Sequence, residues 1–311
     1  MAITNQSVVL PVSYSKDIIR GIIGRSKALE LGRRLPDMNT KTLKLNVLSN
    51  LPVATWVSKA QETPNTEGAE INRKPLSALA WQGVDVVAEE IAVIIPVAES
   101  TLEDVEDYGV EVVPEISEQV IGAFQEVIDS AVLFGVNTPF TGNLANGLVG
   151  AIPASAKISW DGSEGTSFYK AISDAMKEVE TSGYVPTAIL GGPSINSAFR
   201  ESITDLGVNV TEQGEIGRLA RHADLSGGFN ETTAFAIVGD FRYLVYSFRK
   251  DMEFKVLYEA TLKGADGVEY NLAQQDMIGF RIKMRVGFAL PNPVNRLGKT
   301  GRYPFASIVK A

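Results

Sequence analysis

Acidic and basic residues are separated along this chain. Residues 75–156 contain no Lys or Arg but hold thirteen of the 37 acidic side chains. Residues 1–50 carry eight basic against three acidic side chains, and the chain after Asp276 has seven basic residues and no acid. Such charges are screened beyond about 10 Å, so they act where segments touch. The pattern favours a protein that assembles through complementary surfaces, in the same or neighbouring copies, over an enzyme.

Composition excludes several classes of function. The net charge of −8 argues against general nucleic-acid binding, because phosphate contacts need clustered Lys and Arg. The absence of Cys removes disulfides, thiolate nucleophiles and Cys-ligated metals, and it is consistent with a reducing cytoplasm. The start of the chain lacks the pattern of a signal peptide, and the longest apolar run is far shorter than the ~20 residues of a membrane span.

The first 87 residues are predicted to form two segments that are unstable alone. Residues 1–39 read as a basic arm whose glycines weaken any helix and which lies along something else. Alternating apolar and polar residues on both sides of a polar stretch at 59–74 predict a two-stranded ribbon with a flexible tip. An isolated ribbon is marginal in water, so Trp56 and Trp81 on its two legs need a surface to cover them. Another copy is expected to supply that surface.

A strand and a long helix are predicted next. The nearly continuous apolar run at 89–98 predicts a strand buried on both faces. Apolar residues that recur every three or four positions over 114–134 predict an amphipathic helix about 30 Å long. Pro114 suits the first turn of this helix, and Gly135 suits the position just past its end.

Beyond a Gly/Asn/Pro-rich linker at 136–150, the pattern predicts an α/β region. A second amphipathic helix ends at Gly183, a strand at 187–190 leads into a short helix around 195–203, and residues 205–233 are predicted to be loops. Further strands are predicted at 235–238, 242–248, 253–262 and 280–290.

No combination of residues points to catalysis or to a metal site. His222 is the only histidine, and because no nucleophile motif accompanies it we interpret it as an exposed loop residue. Without Cys or a second His, only carboxylates remain as metal ligands, and no calcium-loop motif is present. Two carboxylates could still form an acid and base pair in space. We therefore predict no catalytic residue, metal or cofactor, and keep a carboxylate-dependent hydrolase as the alternative from a different class.

The order of the elements resembles the major capsid protein of tailed bacteriophages, the shell fold shared with encapsulins and the herpesvirus capsid floor. The resemblance rests on Pro96-Val-Ala-Glu-Ser-Thr-Leu-Glu-Asp104 before the long helix, on Val238-Gly-Asp-Phe241, and on Gln275-Asp-Met-Ile-Gly-Phe-Arg281 in the last strand. It implies an α+β capsid fold whose regions are an N-terminal arm (1–39), an extended β-ribbon loop (40–87), a peripheral domain (88–150 and 256–311) with a spine helix at 114–134, and an axial α/β domain (151–255).

The function implied by the resemblance is structural: self-assembly into the icosahedral head of a tailed double-stranded DNA phage. The partners implied are copies of the chain in hexamers and pentamers, a separate scaffolding protein, a portal, and packaged DNA held without sequence specificity, with no membrane. The protein would assemble in the host cytoplasm and reside in the virion. The close alternative is an encapsulin-type nanocompartment shell.

Ten residues are candidates for contacts between copies, each with packing inside its own chain as the alternative. They are Arg20, Arg25, Arg33, Arg34, Trp56, Arg73, Trp81, Arg281, Arg285 and Arg296. Some relatives link a loop Lys to a neighbour's Asn covalently. Lys59 or Lys74 and Asn292 or Asn295 could take those roles here.

Overall fold

Two β-sheets and a two-stranded ribbon organise the chain. The computed structural model describes residues 21–54, 77–102, 112–162, 166–201, 215–216, 219–264, 267–297 and 302–310. Within these residues one large sheet has four strands and the other has six, and a short two-stranded hairpin over residues 261–271 is separate from both. The main hydrophobic core joins both sheets to two long helices and to the N-terminal arm. This mixture confirms the predicted α+β class.

The strands are numbered in chain order. They are β1 (Arg33–Arg34), β2 (Thr42–Asn50), β3 (Ala80–Val87), β4 (Glu89–Ala98), β5 (Lys157–Trp160), β6 (Ala188–Gly191), β7 (Glu215–Ile216), β8 (Leu219–Ala223), β9 (Ala236–Gly239), β10 (Val245–Leu257), β11 (Thr261–Lys263), β12 (Glu269–Asn271), β13 (Met277–Ala289) and β14 (Phe305–Lys310). The helices are Lys27–Leu31 (the arm helix), Val112–Phe134 (the long helix), Gly147–Gly150, Thr166–Thr181 and Ile195–Glu201, with 3₁₀ turns at Gly142–Leu144, Ala154–Ala156 and Phe241–Tyr243. Residues 21–25 and 99–102 are also helical. Of the helices that the structure describes, none is long and apolar enough to cross a membrane.

The four-stranded sheet has the order β1-β10-β13-β4. Its two central strands are antiparallel and run side by side from Val245 opposite Ala289 to Leu257 opposite Gly279. One face of β13 is buried in the core through Phe280, Ile282, Met284, Val286 and Phe288. The alternate side chains of β13 point to the opposite face, as the two-residue period of a strand requires.

Two sequence-based expectations for this sheet are wrong. The strand at 89–98 forms as predicted, but it is an edge strand with one open face, on which Ile94 is 41% exposed. The strands predicted at 242–248 and 253–262 are largely one continuous strand, β10. Register shifts around Lys250 interrupt the alternation of apolar and polar residues there, which is why the sequence reads as two strands.

The six-stranded sheet has the order β5-β14-β9-β6-β8-β7. The helix Thr166–Thr181 packs against it through Phe168, Ile172 and Val179, and ends before Gly183, whose φ is +85°. The rings of Trp160 and Phe235 pack against the ring of Phe168, with their centroids 5.0 and 5.6 Å from its centroid. The predicted amphipathic helix and its stop are therefore confirmed.

The sequence did not predict four strands of this sheet, β5, β7, β8 and β14. β7 and β8 lie within residues 205–233, which were predicted to be loops. β14 lies between β5 and β9, far from both in sequence, and Phe305, Ala306 and Ile308 on it are fully buried. The strands of the two sheets therefore do not follow the predicted limits of 151–255 and 256–311. β14 belongs to the second range but joins the six-stranded sheet, whose other strands lie in the first range. β10 runs from the first range into the second. The division into domains itself stays a prediction.

The long helix agrees closely with its sequence signals. It begins at Val112, two residues before the predicted start, so Pro114 lies in its first turn. Gly135 follows its last residue with φ +73°, a conformation that favours glycine, and its N–H donates to Ala131 O at 3.0 Å. Val120, Phe124 and Ile128 form its buried stripe, whereas Val127 lies on its exposed side.

The described residues of the arm belong to the core of their own chain. Ile22, Ala28 and Leu29 are at most 1% exposed and pack with the long helix. The backbone N–H groups of Arg33 and Leu35 then donate to the carbonyls of Leu244 and Tyr246 beside β10, both at 2.8 Å. The expectation that the arm is not buried by its own chain is wrong for residues 21–38. Residues 1–20 lie outside the described residues.

The ribbon forms as predicted from β2 and β3. The strands are antiparallel, with Thr42 opposite Val87 and Asn50 opposite Ala80. Its foot sits close to the four-stranded sheet, where a Cβ on Gly287 would come within 2.7 Å of Val87 O. Away from the foot, the side chains of β3 are exposed, including Trp81 at 61%. The predicted tip at 59–74 lies outside the described residues.

Candidate assembly surfaces

A buried carboxylate fixes the arm to the long helix. Asp129 is 0% exposed, and its Oδ1 accepts hydrogen bonds from Ser26 Oγ at 2.7 Å and from Ala28 N at 3.0 Å. Its Oδ2 accepts from Lys27 N at 3.1 Å. Asp129 therefore satisfies the N–H groups at the start of the arm helix, which have no partner within that helix. The sequence analysis did not identify this role of Asp129.

Further titratable groups surround this junction. Burial, together with the charge of Asp224, raises the pKa of Asp129 to about 7. Its three hydrogen-bond donors oppose this effect. Asp224 is also fully buried, and its Oδ2 has no hydrogen-bond partner within the part of the chain that the structure describes. His222 Nδ1 lies 3.8 Å from Glu30 Oε1 of the arm helix, and burial lowers the pKa of the His222 imidazole. His222 is thus on β8 facing the arm, and its assignment to an exposed loop is wrong.

Of the four arm arginines that are candidates for contacts between copies, two form ion pairs within the chain. Arg25 Nη2 pairs with Glu118 Oε1 on the long helix at 2.7 Å, and both side chains are about half exposed. Arg34 pairs with Asp37 at 3.0 Å and lies over the Phe248 ring at 5.2 Å. Exposed pairs of this kind contribute about 0–1 kcal/mol, so they leave these guanidinium groups available to a partner.

An open cavity brings two of the candidates together. Arg33 from the arm and Trp81 from the ribbon line the same cavity of about 470 Å³. Its other walls include Tyr243 and Pro293. A further wall residue, Arg242, is neutralised by Asp240, whose two oxygens accept from it at 2.8 and 2.6 Å. Two segments far apart in sequence thus form one concave, partly apolar surface with one cation that lacks a carboxylate partner among the described residues.

The open side of the four-stranded sheet carries Arg281 and Arg285. Arg281 and Lys283 approach Glu253 at 3.5 and 3.3 Å, and Arg285 approaches Glu90 at 2.7 Å. These side chains are 24–40% exposed. The two arginine candidates on this strand therefore lie on one face, at positions four residues apart.

The C-terminal candidates are bound within the chain. Arg296 Nη1 donates to Pro52 O at 3.0 Å, which ties the segment after β13 to the chain just beyond the end of β2 that lies away from the foot of the ribbon. Asn292 Nδ2 donates to Arg302 O at 2.9 Å, and Asn295 Nδ2 donates to Ser182 O at 2.6 Å. Both asparagines thus hold local structure in the single chain.

Other candidates cannot be placed. Arg20, Trp56, Arg73, Lys59 and Lys74 lie outside the described residues. For all ten candidates, contact between copies stays a prediction.

The described residues offer surfaces for binding rather than a cluster of metal ligands. No group of three or more His, Asp and Glu side chains comes together there as a metal site would require. Asp129 and Asp224, whose charges interact, are both fully buried, and Asp129 is occupied by donors of its own chain. A substrate cannot reach this pair as the acid and base of a hydrolase.

Comparisons with known proteins agree with one another. A family model described as the phage capsid family matches residues 6–294. The major capsid protein of Staphylococcus phage 80alpha is 23% identical over 285 residues, which cover 88% of this chain and 79% of that protein. A solved chain of Mycobacterium phage Adephagia has a TM-score of 0.77 at 27% identity, covering 92% of this chain and 90% of that one. A solved chain of Microbacterium phage Oxtober96 has a TM-score of 0.76 at 31% identity, covering 92% of this chain and 91% of that one.

These matches confirm the resemblance inferred from the order of the motifs. The similarity spans the arm, the ribbon, the long helix and both sheets. Because the family model covers nearly the whole sequence, this chain belongs to the phage capsid family.

Proposed function

We infer that this chain is a major capsid protein, which assembles with copies of itself into the icosahedral head of a tailed double-stranded DNA phage. The observation that carries this function is the match of the family model over residues 6–294, together with a fold shared with phage structures over 92% of the chain. The protein is a component of the virion.

The structure of the single chain suits such assembly. The ribbon projects from the sheet as two strands with exposed Leu79 and Trp81, although isolated two-stranded ribbons are marginal in water. A neighbouring copy that covers this ribbon removes apolar surface from water and stabilises both chains. In a closed symmetric shell the later contacts are effectively intramolecular, so individually weak contacts hold the particle together.

Finer features of the function are proposals. We propose contacts between copies at the ten arginine and tryptophan candidates, in hexamers and pentamers. A separate scaffolding protein, a portal and packaged DNA are further proposed partners, with assembly in the host cytoplasm. The net charge of −8 supports a wall to which DNA does not adhere strongly. The structural character of the family and the buried state of Asp129 support a protein without enzymatic activity.

The alternatives are less favoured. An encapsulin-type shell has the same fold, but the relatives matched above are from phages. A carboxylate-dependent hydrolase requires an accessible pair of carboxylates, whereas the interacting pair Asp129 and Asp224 is fully buried.

Electron microscopy of the purified full chain tests the proposal. We expect hollow, icosahedral particles tens of nanometres across, formed by the chain alone or with a scaffolding protein. A compact monomer under every condition of salt, crowding and scaffold would contradict it, as would a small discrete oligomer whose turnover disappears when one carboxylate is neutralised.

A further inference from the structure

The open face of the four-stranded sheet has an excess of positive charge. Four cations, Lys255 on β10 and Arg281, Lys283 and Arg285 on β13, lie on this face, and we call them with Glu90 and Glu253 the basic face. The register places Lys255 opposite Arg281, and Glu253 opposite Lys283. Because each cross-strand pair shares one side of a sheet, all six side chains point the same way.

The two carboxylates of the basic face do not neutralise it. Glu253 is shared between Arg281 and Lys283, and Glu90 pairs with Arg285 alone. Lys255 is exposed and has no carboxylate partner among the described residues. The buried Nε of Arg281 likewise has no hydrogen-bond acceptor there.

Nothing in the described chain covers this face, and its margin is apolar. Ala92 and Ile94 of β4 lie opposite Lys283 and Arg281 in the register and are exposed, whereas the other side of β13 is buried in the core. One side of the sheet therefore packs against the core, and the other side is exposed. A partner for the open side needs several carboxylates together with some apolar side chains.

One segment of this sequence has that chemistry. Residues 99–111 contain six Asp and Glu, no Lys or Arg, and also Leu102, Val105, Tyr108 and Val110. In its own chain this segment starts at the far end of β13, where Glu99 N donates to Asp276 O at 2.9 Å. Arg281 is five residues along the strand from Asp276, a distance of about 17 Å at 3.4 Å per residue, so the chain's own segment would have to reverse direction to reach the basic face.

We propose that the basic face binds the acidic segment 99–111 of a second copy of this chain. The two complementary patches are different surfaces of one molecule, so the contact is heterologous: each copy gives its segment to one neighbour and receives a segment on its face from another. Repetition of a heterologous contact closes a ring when the rotation between copies permits it. This inference rests on the proposed function, and it identifies which surfaces meet within the rings of a shell.

A charge inversion that preserves the contacts inside the chain tests the proposal. The variant Glu253→Lys, Lys255→Glu, Arg281→Glu, Lys283→Glu (the inverted face) reverses the local charge but keeps opposite charges between position 253 and its two partners. Its counterpart, Glu103→Lys, Asp104→Lys, Glu106→Lys and Asp107→Lys (the inverted segment), changes the net charge of residues 99–111 from −6 to +2. Lys170→Glu with Lys177→Glu on the exposed side of the helix Thr166–Thr181 is the matched control, because it lowers the net charge by the same four units as the inverted face.

The readout is particle yield by electron microscopy and sedimentation, with thermal melting of each unassembled variant as the check on folding. We expect the inverted face and the inverted segment each to form at least tenfold fewer particles than the control. A single chain carrying both inversions should assemble. In a mixture of the two single variants, a tagged copy of one should capture the other, because each supplies the surface that the other needs. The yield of wild-type particles should also fall as salt is raised, because the contact is electrostatic.

Several results would overturn the proposal. One is normal assembly of the inverted face. Another is failure of each variant to capture the other in the mixture while a single chain carrying both inversions assembles, which would place the contact inside one chain. Normal shells that no longer retain DNA would assign the face to nucleic acid instead. If the inverted face does not fold, Lys255→Gln with Lys283→Gln replaces it, and a yield equal to that of wild type then counts against the proposal. Failure of the wild type and the control to form any particle would instead refute the proposed function.

Discussion

The arm and the ribbon look alike in the sequence, but the single chain packs the arm against its core more fully than it packs the ribbon. Both are short, extend from the main body and lack a core of their own. The described arm is closed by Asp129, by buried Ile22 and Leu29, and by backbone hydrogen bonds to the chain beside β10. The ribbon pairs its own two strands and is tied to the segment after β13 by hydrogen bonds from Val294 N to Leu48 O and from Arg296 to Pro52 O, but its Trp81 stays exposed. Polar or basic composition thus does not by itself separate a segment that serves folding from one that serves assembly.

Deletion of the arm should have the largest effect. Removal of residues 1–35 takes three buried side chains from the core and leaves Asp129 without its donors, so we expect loss of more than about 5 kcal/mol, comparable with the whole stability of many domains. Removal of residues 1–20 alone should leave a folded chain. Circular dichroism during thermal melting distinguishes the two truncations, and a well-folded chain without residues 1–35 would refute the role of the arm in the core.

Two single substitutions compare the regions directly. Leu29→Ala creates a cavity under the arm and should lower the free energy of unfolding by about 2–5 kcal/mol. Trp81→Ala removes an exposed side chain and should change it by about 0.5 kcal/mol or less, while reducing particle yield. Urea denaturation of unassembled protein and counting of particles give both quantities. The comparison fails if Trp81→Ala destabilises the monomer as much as Leu29→Ala does.

The arm junction should also give the stability a dependence on pH. The Asp129 pKa is raised from 3.8 to about 7 on folding, so the folded state binds the proton more tightly. Its stabilising effect is fully present below about pH 4 and is lost as pH rises through about 7, by at most about 4 kcal/mol at about 1.4 kcal/mol per pKa unit.

The control for this dependence is Asp129→Asn, which keeps the size of the side chain and cannot titrate. We expect the melting temperature of the wild type, relative to that of Asp129→Asn, to fall between about pH 4 and pH 7. A relative melting temperature that rises over this range would show that the charged carboxylate is the form that the arm stabilises.

The smallest effect is expected at Arg25. Its pair with Glu118 is exposed, so Arg25→Ala should change the free energy of unfolding of the monomer by less than about 1 kcal/mol. If Arg25 contacts another copy, particle yield must fall although the monomer is unchanged. A loss of several kcal/mol in the monomer would move Arg25 to the group of residues that serve folding.

Periodicity predicted the local elements of this chain well, because their signals are local. The long helix has its apolar stripe, its early proline and Gly135 within one stretch, and β2 and β3 show alternation that needs no partner to be read. The placement of β14 between β5 and β9 has no local signal, since it depends on pairing across about 70 to 150 residues. The open face of β4 was missed for a related reason: an apolar run does not reveal whether a second layer lies over it.

From the sequence we could predict candidate residues for the assembly surfaces, but not how those residues lie relative to one another. Arg33 and Trp81 were named from the sequence, but their common cavity results from the way the arm and the ribbon meet. Asp129 and Ser26 could have been proposed as partners only from their residue types, since a helix start with Ser at its cap favours a carboxylate. Their spacing of 103 residues gave no reason to pair them.

Hydrogen exchange in unassembled and assembled protein tests the central claim most directly. The account predicts that amides of β2 and β3 gain protection when particles form, while those of the arm helix are already protected in the single chain and change little. Unchanged exchange in β3, or strong new protection confined to the arm helix, would contradict it.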